Sequence, residues 1–213
     1  LRKNNIVIIE STCPVGTTSA VADYLYKKTG FGLNEIDICY CPERVIPGNI
    51  LFELENNDRV IGGVTKKSAL NTLDFYKTFC KGKFKLSNSK TAEMVKLSEN
   101  AYRDVNIAFA NELSMICDDE DIKAEEVIEI ANMHPRVNIL NPSCGVGGHC
   151  IAVDPWFIVS NNPQKSNLIK VSREVNLEKT NWVFSKIIDS QNILEKKIGK
   201  NVKIGIFGIT YKP

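Results

Sequence analysis

Short apolar segments alternate with helical segments over the first 88 residues, and this alternation constrains the fold more than any other feature. Segments of strand length, rich in β-branched or aromatic residues, occur at NIVIIEST, IDICYC, DRVIGGV and KFKLS. Between them, apolar residues recur at helical spacing from about Thr17 to Lys28, where Gly30 can end a helix, and again over KKSALNTLDFYKTF. The pattern predicts an α/β fold in which helices pack on the faces of a parallel sheet.

After Ser89 the pattern becomes almost entirely helical. The segment TAEMVKLSENAYRDVNIAFANELSMICDD predicts one long helix, because apolar residues recur along one of its faces. KAEEVIEIANM predicts a further helix, and a segment from about Gln164 to Lys197 predicts another that is either continuous or broken once. NVKIGIFGI predicts a strand that ends in glycine, as at the opening of a nucleotide-binding unit.

The bulk composition excludes several classes of protein. A formal net charge of +2 over 213 residues is too small to indicate nucleic-acid binding. No apolar run is long enough to span a membrane, and the opening LRKNN does not resemble a signal peptide. Seven cysteines, an odd number without regular spacing, argue against a secreted disulfide scaffold. We therefore expect a cytoplasmic protein that binds neither nucleic acid nor membrane.

The glycine-rich segment NPSCGVGGHCIAVDPW is the strongest candidate for a chemical site. Cys150 follows several glycines whose backbone amides can lie near it, and Asp154 comes four residues later. Amide dipoles or a nearby cation would favour the thiolate, which is the nucleophilic form of a cysteine. A buried, unreactive thiol is the alternative, and it is the state that we expect for Cys13, Cys39, Cys41, Cys80, Cys117 and Cys144.

A metal site is not predicted. Suitable ligand atoms occur on His134, Cys144, His149 and Cys150. These residues lack the paired CxxC or HxxxH spacing of structural zinc sites, so we expect no bound metal.

The long helix carries a row of hydrogen-bond donors. Lys96, Asn100 and Arg103 lie at positions i, i+4 and i+7 and therefore share one face. Such a face suits an anionic ligand or a developing oxyanion, although a solvated helix face is the alternative from spacing alone.

Two predicted loops also present polar side chains. Glu43 and Arg44 follow the strand IDICYC, at the end where open α/β sheets bind ligands; a connecting loop fixed by prolines is the alternative. His134 and Arg136 lie in the segment HPRVN, where either could simply be a surface residue.

Six motifs, taken in order, resemble the nucleotide-sugar 6-dehydrogenases. They are ESTCPVGTT, CPERVIPG, TAEMVKLSENAYRDVNIAFANE, HPRVN, NPSCGVGGHCIAVDPW and FGITYKP, and the likeness covers essentially the whole chain. It implies that residues 1–88 form the C-terminal part of a Rossmann-type NAD-binding domain, residues 89–200 a central helical dimerisation domain, and residues 201–213 the start of a UDP-binding Rossmann-like domain. Because the family's GxGxxG segment is absent, we expect a piece of a longer polypeptide that is inactive alone.

The resemblance also implies a reaction, the NAD-dependent four-electron oxidation of a primary alcohol on a UDP-sugar to a carboxylate. Cys150 would add to the aldehyde as a thiolate, and the thiohemiacetal would be oxidised to a thioester that water hydrolyses. Lys96 and Asn100 would stabilise the oxyanion or carry a proton, Asp154 would position water or the lysine, and Glu43 would assist hydrolysis. The remaining matches are substrate contacts at Arg44, Val45, Arg103, His134, Arg136, Gly147, Tyr211 and Lys212, and a cofactor contact at Thr12.

Two departures from the family pattern bear on the sugar. Pro47 stands where UDP-glucose dehydrogenases commonly have a second glutamate, and Val153 replaces a lysine before the aspartate. Both favour a UDP-N-acetylhexosamine, with the mannosamine epimer preferred and UDP-N-acetylglucosamine or UDP-glucose left open. A two-electron hydroxyacid dehydrogenase and a noncatalytic core that binds sugar nucleotides and dimerises also stay open. The resemblance further implies a homodimer and a role in polysaccharide biosynthesis.

Overall fold

The computed structural model describes residues 1–45 and 48–207. The chain divides into two compact units, Leu1–Glu99 and Asn100–Pro213, and each is described by itself below. The division falls inside one long helix, α4 (Ser89–Asp119), whose 31 residues match the long helix predicted from the sequence.

The first unit is built on a four-stranded sheet. The strands are β1 (Ile6–Ile9), β2 (Asp37–Tyr40), β3 (Arg59–Gly63) and β4 (Phe84–Asn88), and their order in the sheet is β1-β2-β3-β4. β1 pairs with β2 in parallel, as does β3 with β4. α1 (Thr17–Thr29) connects the first pair and α3 (Lys66–Tyr76) the second. These elements confirm the predicted α/β fold.

The prediction of a wholly parallel sheet is wrong at one junction, because β2 and β3 run antiparallel. In the described part of the segment between them, residues 41–45 and 48–58, the one element is the short helix α2 (Ile50–Asn56), none of whose residues is buried. A parallel neighbour requires a crossover that packs across a face of the sheet, usually a helix. An exposed seven-residue helix does not provide that crossover, so the chain returns in the opposite direction.

Buried thiols form much of the core of the first unit. Cys39 and Cys41 pack with Ile61, Tyr76 and other residues in one cluster. Burial raises the pKa of Cys39 to about 11, so this thiol stays protonated and unreactive, as predicted. Five of the six cysteines expected to be buried are buried, but Cys144 is exposed, because it lies in a surface loop of the second unit.

The second unit consists of helices and loops. Besides its part of α4, it contains α5 (Ala124–Ala131), α6 (Asp154–Asn161) and α7 (Asn167–Ile198). α7 is continuous over 32 residues and ends at Gly199, which has a left-handed φ of 68° and whose N–H donates to the Glu195 carbonyl at 2.9 Å. The short helix α6 was not predicted.

The strand predicted over NVKIGIFGI is not present in its described part, residues 201–207. A strand needs a neighbouring strand for its backbone hydrogen bonds, and the described residues of the second unit contain none. The segment instead contacts α7, where Val202 donates its N–H to Glu195 Oε1 at 2.9 Å and accepts a bond from Gln191 at 3.2 Å. Over the described ranges, no helix combines the length and apolar character needed to cross a membrane.

Candidate active site

The carboxyl ends of β1 and β2 meet at one edge of the sheet in the first unit. The strands are parallel, and beyond their ends the Cys41 N–H donates to the Ile9 carbonyl at 2.9 Å and the Glu43 N–H to the Glu10 carbonyl at 3.3 Å. The edge therefore carries Thr12, which is half-buried, beside the segment that contains Glu43. Ligands of open α/β sheets bind at this end of the strands.

Lys96 contacts the backbone at this edge. Its Nζ donates a hydrogen bond to the carbonyl oxygen of Glu43 at 2.9 Å. The sequence separates the two residues by 53 positions, and the fold joins two motifs that the sequence analysis singled out independently.

The carboxylate of Glu43 is held by the backbone amides of the two following residues and by an arginine. Oε1 accepts the N–H of Arg44 at 2.6 Å and that of Val45 at 3.1 Å, while Oε2 lies 3.5 Å from Nη1 of Arg59. The side chain remains 28% exposed. A carboxylate fixed in this way and still open to solvent has the chemistry of a general base toward water.

Arg59 was not predicted as a site residue. It is buried at the start of β3, and its Nε donates to Cys80 Sγ at 3.2 Å. Burial by itself would lower the pKa of Arg59, but the contact with Cys80 and the charge of Glu43 raise it above its ordinary value, so the guanidinium stays charged. The available signal was a charged residue at the start of a buried strand, since a buried charge requires a partner.

Arg44, a predicted substrate contact, is engaged by another residue that the sequence analysis missed. Its Nη2 lies 2.6 Å from Oε1 of Glu99, and its Nη1 donates to the Asp58 carbonyl at 3.3 Å. Glu99 is three residues after Lys96 on α4, so helical spacing alone could have pointed to it.

Glu93, which is fully buried on α4, caps the N-terminus of α1. Its carboxylate accepts the N–H groups of Gly16 at 2.6 Å and Thr18 at 2.7 Å, and the Thr18 hydroxyl at 2.6 Å. The residue at the N-cap position, Gly16, has no side chain to serve these donors. The amides of Gly16 and Thr18 at this helix end are thus already satisfied, and no sequence signal indicated the pairing.

In the second unit, Cys150 is exposed one turn before α6. Its carbonyl oxygen accepts the N–H groups of Val153 at 3.1 Å and Asp154 at 2.9 Å. Asp154, the first residue of α6, is buried, and its Oδ2 accepts a short hydrogen bond from Asn100 Nδ2. Arg103 in turn donates to Asn100 Oδ1. The fold thus joins Asn100 and Arg103, two members of the predicted donor row, to the aspartate that follows the cysteine.

The start of the cysteine loop is attached to α4 and α7. The Ser143 N–H donates to Asn111 Oδ1 at 2.7 Å, and the Thr180 hydroxyl donates to the Cys144 carbonyl at 3.0 Å. Gly145 has a left-handed φ of 123°, and a Cβ at this position would lie 2.2 Å from Thr180 Oγ1. Both the turn and the close approach therefore require glycine.

A buried polar network supports these attachments. Asp104 Oδ1 accepts from Arg173 Nη1 at 2.5 Å and from Asn176 Nδ2 at 2.8 Å, and Asn176 Oδ1 accepts from Asn111 at 2.8 Å. Burial raises the pKa of Asp104, against the opposing effect of the Arg173 charge. The network links α7 through Asn111 to the loop that carries Cys150.

The other predicted substrate contacts take less part in these hydrogen-bond networks. His134, Arg136 and Gly147 are exposed, and His134 Nδ1 accepts the Arg136 N–H at 3.3 Å. Tyr211 and Lys212 lie outside the described residues, as does Pro47. Lys96 belongs to the first unit and Cys150 to the second, so the joint action of these two residues on one substrate, which the family resemblance implies, stays a prediction. Within residues 1–45 and 48–207, no group of three His, Cys, Asp or Glu side chains could hold a metal ion.

Comparison with known proteins gives the class to which this fold and site belong. A sequence profile of the NAD binding domain of the UDP-glucose/GDP-mannose dehydrogenase family matches residues 1–80, and the profile of the family's central domain matches residues 90–178. The chain belongs to the UDP-glucose/GDP-mannose dehydrogenase family.

Individual relatives within the family show which of its members this chain resembles. Over all of this chain, it is 50% identical to the UDP-N-acetyl-D-mannosamine dehydrogenase of Campylobacter jejuni, of which it covers 53%, and 52% identical to that of Methanocaldococcus jannaschii, of which it covers 47%. A solved UDP-D-ManNAc dehydrogenase from Pyrococcus horikoshii is 40% identical, with a TM-score of 0.86 over 94% of this chain and 47% of that one. The chain spans about half the length of the curated relatives it matches.

Proposed function

We propose that this protein oxidises the primary alcohol of a UDP-N-acetylhexosamine, with UDP-N-acetyl-D-mannosamine as the preferred substrate, to the carboxylate. The names of its relatives, about half of whose length it covers, support this reaction and this epimer. The observation that carries the proposal is the exposed Cys150 just before α6, four residues ahead of a buried Asp154 that accepts a hydrogen bond from Asn100.

NAD would supply the hydride acceptor for both oxidation steps. The match to the family's NAD binding domain supports this cofactor. The edge formed by the ends of β1 and β2 fits such a ligand by its position in the sheet, and Thr12 is the residue of this chain that we propose contacts it. The amides at the α1 N-terminus bind Glu93, so the cofactor contact is assigned to the preceding Thr12 and not to that helix end.

Cys150 would perform the covalent chemistry. Its thiolate attacks the aldehyde carbon, a C–S bond forms, and the carbonyl oxygen takes a proton to give a thiohemiacetal. Loss of a hydride and a proton gives a thioester. Water then adds to the thioester, the C–S bond breaks, and the acid leaves with the thiol restored. A covalently held aldehyde cannot diffuse away between the two oxidations.

The other polar residues would act on protons and charge. Glu43 is proposed as the base that activates water, because its carboxylate is fixed and still partly open. Lys96 and Asn100 would stabilise the developing oxyanion, and Asp154 would position water or the lysine. Arg44, Val45, Arg103, His134, Arg136, Gly147, Tyr211 and Lys212 are proposed substrate contacts.

We also propose a homodimer formed through α4. Tyr102, Phe109 and Ile116 recur every seven residues, so they share one face, and they are 71%, 55% and 53% exposed. An apolar stripe of this kind supports burial against a second copy. Domain boundaries after residues 88 and 200, a cytoplasmic location and a role in polysaccharide biosynthesis remain predictions, as does the inactivity of residues 1–213 alone.

The test uses the full-length protein with UDP-N-acetyl-D-mannosamine and NAD. We expect two NADH for each acid formed, and in Cys150→Ser we expect no acid. Cys144→Ser is the matched control, because it changes the other exposed cysteine of the same loop and should leave acid formation intact. Acid formation by Cys150→Ser at the normal rate would exclude the covalent route. The same assay with UDP-N-acetylglucosamine and UDP-glucose identifies which UDP-sugar is the preferred substrate.

A further inference from the structure

Arg59 is an arginine whose side chain is almost entirely enclosed, with 3% of it exposed. Two hydrogen bonds and one ring contact fix its guanidinium group in the interior of the first unit. Nε donates to Cys80 Sγ at 3.2 Å, Nη2 donates to the Leu54 carbonyl at 3.0 Å, and the group lies 4.8 Å from the centre of the Tyr76 ring. The remaining nitrogen, Nη1, faces Glu43 Oε2 at 3.5 Å.

The charge of Arg59 is costly to bury and is not explained by packing. Cys80 Sγ and the Leu54 carbonyl accept hydrogen bonds from it and the Tyr76 ring packs against it, while Glu43 is its ion-pair partner among the described residues. Enclosing a cation disfavours folding unless a partner compensates, and an apolar side chain of similar size commonly does as well or better. The positive charge of Arg59 therefore indicates that this residue serves the Glu43 carboxylate.

Arg59 also places a positive charge beside the second oxygen of the Glu43 carboxylate. Backbone amides of Arg44 and Val45 fix Oε1, and these bonds alone leave the other oxygen without a donor. From a separate element, β3, Arg59 places a charged nitrogen 3.5 Å from that oxygen, and its own position is fixed by Cys80 and Leu54. The orientation of Glu43 is thus determined by a rigid group behind it, while part of the side chain remains open to water.

We propose that Arg59 is a positioning residue for Glu43, which it holds as an oriented carboxylate for hydrolysis of the Cys150 thioester. The inference rests on the proposed function, because it assigns Glu43 to the hydrolytic step. Arg59 acts through Glu43 and makes no contact with substrate. In the hydrolytic step Glu43 takes a proton from water, the water oxygen adds to the thioester carbon, and the C–S bond to Cys150 breaks.

The experiment compares Glu43→Gln, Arg59→Met and the double variant in the full-length protein. Rapid quenching and intact mass measure the acyl-enzyme, and absorbance measures NADH. We expect each single variant to retain NADH formation in the first turnover, to accumulate acyl-enzyme, and to release acid about 10- to 100-fold more slowly. The double variant should be no slower than Glu43→Gln within about twofold, because both changes disable one unit.

Tyr76→Phe is the matched control for damage to the core. It keeps the ring against Arg59 but removes a hydroxyl that donates to Glu10 at 2.7 Å. We expect a lower melting temperature without accumulated acyl-enzyme. If Arg59→Met does not fold, Arg59→Lys replaces it in the same comparison, since lysine keeps the charge and loses the fixed planar group.

Two results would overturn the inference separately from the proposed function. An Arg59 variant that slows both oxidations and hydrolysis equally without accumulating acyl-enzyme would show that Arg59 is merely structural. Effects of the two single variants that multiply in the double variant would show that they act independently. If Glu43→Gln itself releases acid normally, the proposed role of Glu43 fails, and the role of Arg59 fails with it.

Discussion

Asn100 on α4 donates a hydrogen bond from its side-chain amide to the buried carboxylate of Asp154, at the start of α6. Asp154 also donates its N–H to the carbonyl of Cys150. One asparagine is therefore attached, through a single residue, to the backbone of the proposed nucleophile. Arg103 fixes Asn100 from the other side.

We expect Asn100→Ala to destabilise the protein and to slow acid formation. Removing a donor from a buried carboxylate costs about 1–3 kcal/mol. Thermal unfolding and acid production measure the two effects. Asn106→Ala is the control, because that side chain, on the same helix, donates to the Tyr102 carbonyl at 2.6 Å without contacting Asp154. An equal loss of thermal stability and of acid production in both variants would contradict a specific role for Asn100.

Glu93→Gln should weaken the attachment of α1 to α4. The charged carboxylate accepts three hydrogen bonds near the α1 N-terminus, and a neutral amide cannot reproduce them all. We expect the free energy of unfolding, measured by urea denaturation, to fall by about 1–3 kcal/mol. Glu112→Gln makes the same chemical change at an exposed position of α4 and should alter stability by less than about 0.5 kcal/mol. An equal fall in the free energy of unfolding of both variants would show that Glu93 does not stabilise the N-terminus of α1.

Gly145→Ala should displace the start of the cysteine loop. The new Cβ combines an unfavourable left-handed φ with a 2.2 Å approach to Thr180 Oγ1. Gly199→Ala provides the matched control, since its φ is 68° and nothing would lie within 4 Å of a Cβ at this position. We expect a larger loss of thermal stability for Gly145→Ala, and partial recovery when Thr180→Ala is added. No recovery would mean that the clash with Thr180 is not the cause.

Thiol labelling at pH 8 should distinguish two fast cysteines from five slow ones in the folded protein. Cys144 and Cys150 are exposed, whereas the others are buried. Burial raises the pKa of Cys39 to about 11, so its thiolate stays scarce until the pH approaches that value, and its labelling should remain slow at pH 9. Mass spectrometry after brief alkylation identifies the sites. Fast labelling of Cys39 in the folded state would contradict its buried position.

Phe109→Asp should convert the proposed dimer to a monomer, because it puts a charge in the middle of the apolar stripe on α4. Sedimentation velocity measures the change. Phe52→Asp introduces the same change at a similarly exposed phenylalanine, 63% against 55%, on α2, and should leave the dimer intact. A wild-type monomer, or a dimer unaffected by Phe109→Asp, would remove the proposed interface.

Local periodicity determined much of the fold. The long helix α4, the end of α1 at Gly30 and the four strands were predicted correctly because each is encoded by the spacing of neighbouring residues. The helices α2 and α6 were missed, since seven or eight residues cover only about two turns and give too few repeats to recognise. The motif around Cys150 and Asp154 was likewise local and visible in the sequence.

Only the tertiary structure decided which distant groups meet. Glu93 binds the start of α1 from 77 positions away in the sequence, and the Arg59 guanidinium lies against the Glu43 carboxylate from another strand. The antiparallel pairing of β2 with β3 was likewise decided by the tertiary structure. Hydrogen bonds and ion pairs between distant segments depend on how elements pack, and packing leaves no periodic mark on either segment. The sequence by itself therefore determined the long helices, the four strands of the sheet and the cysteine motif, and the fold determined the partners that hold Glu43 and Asp154 in place.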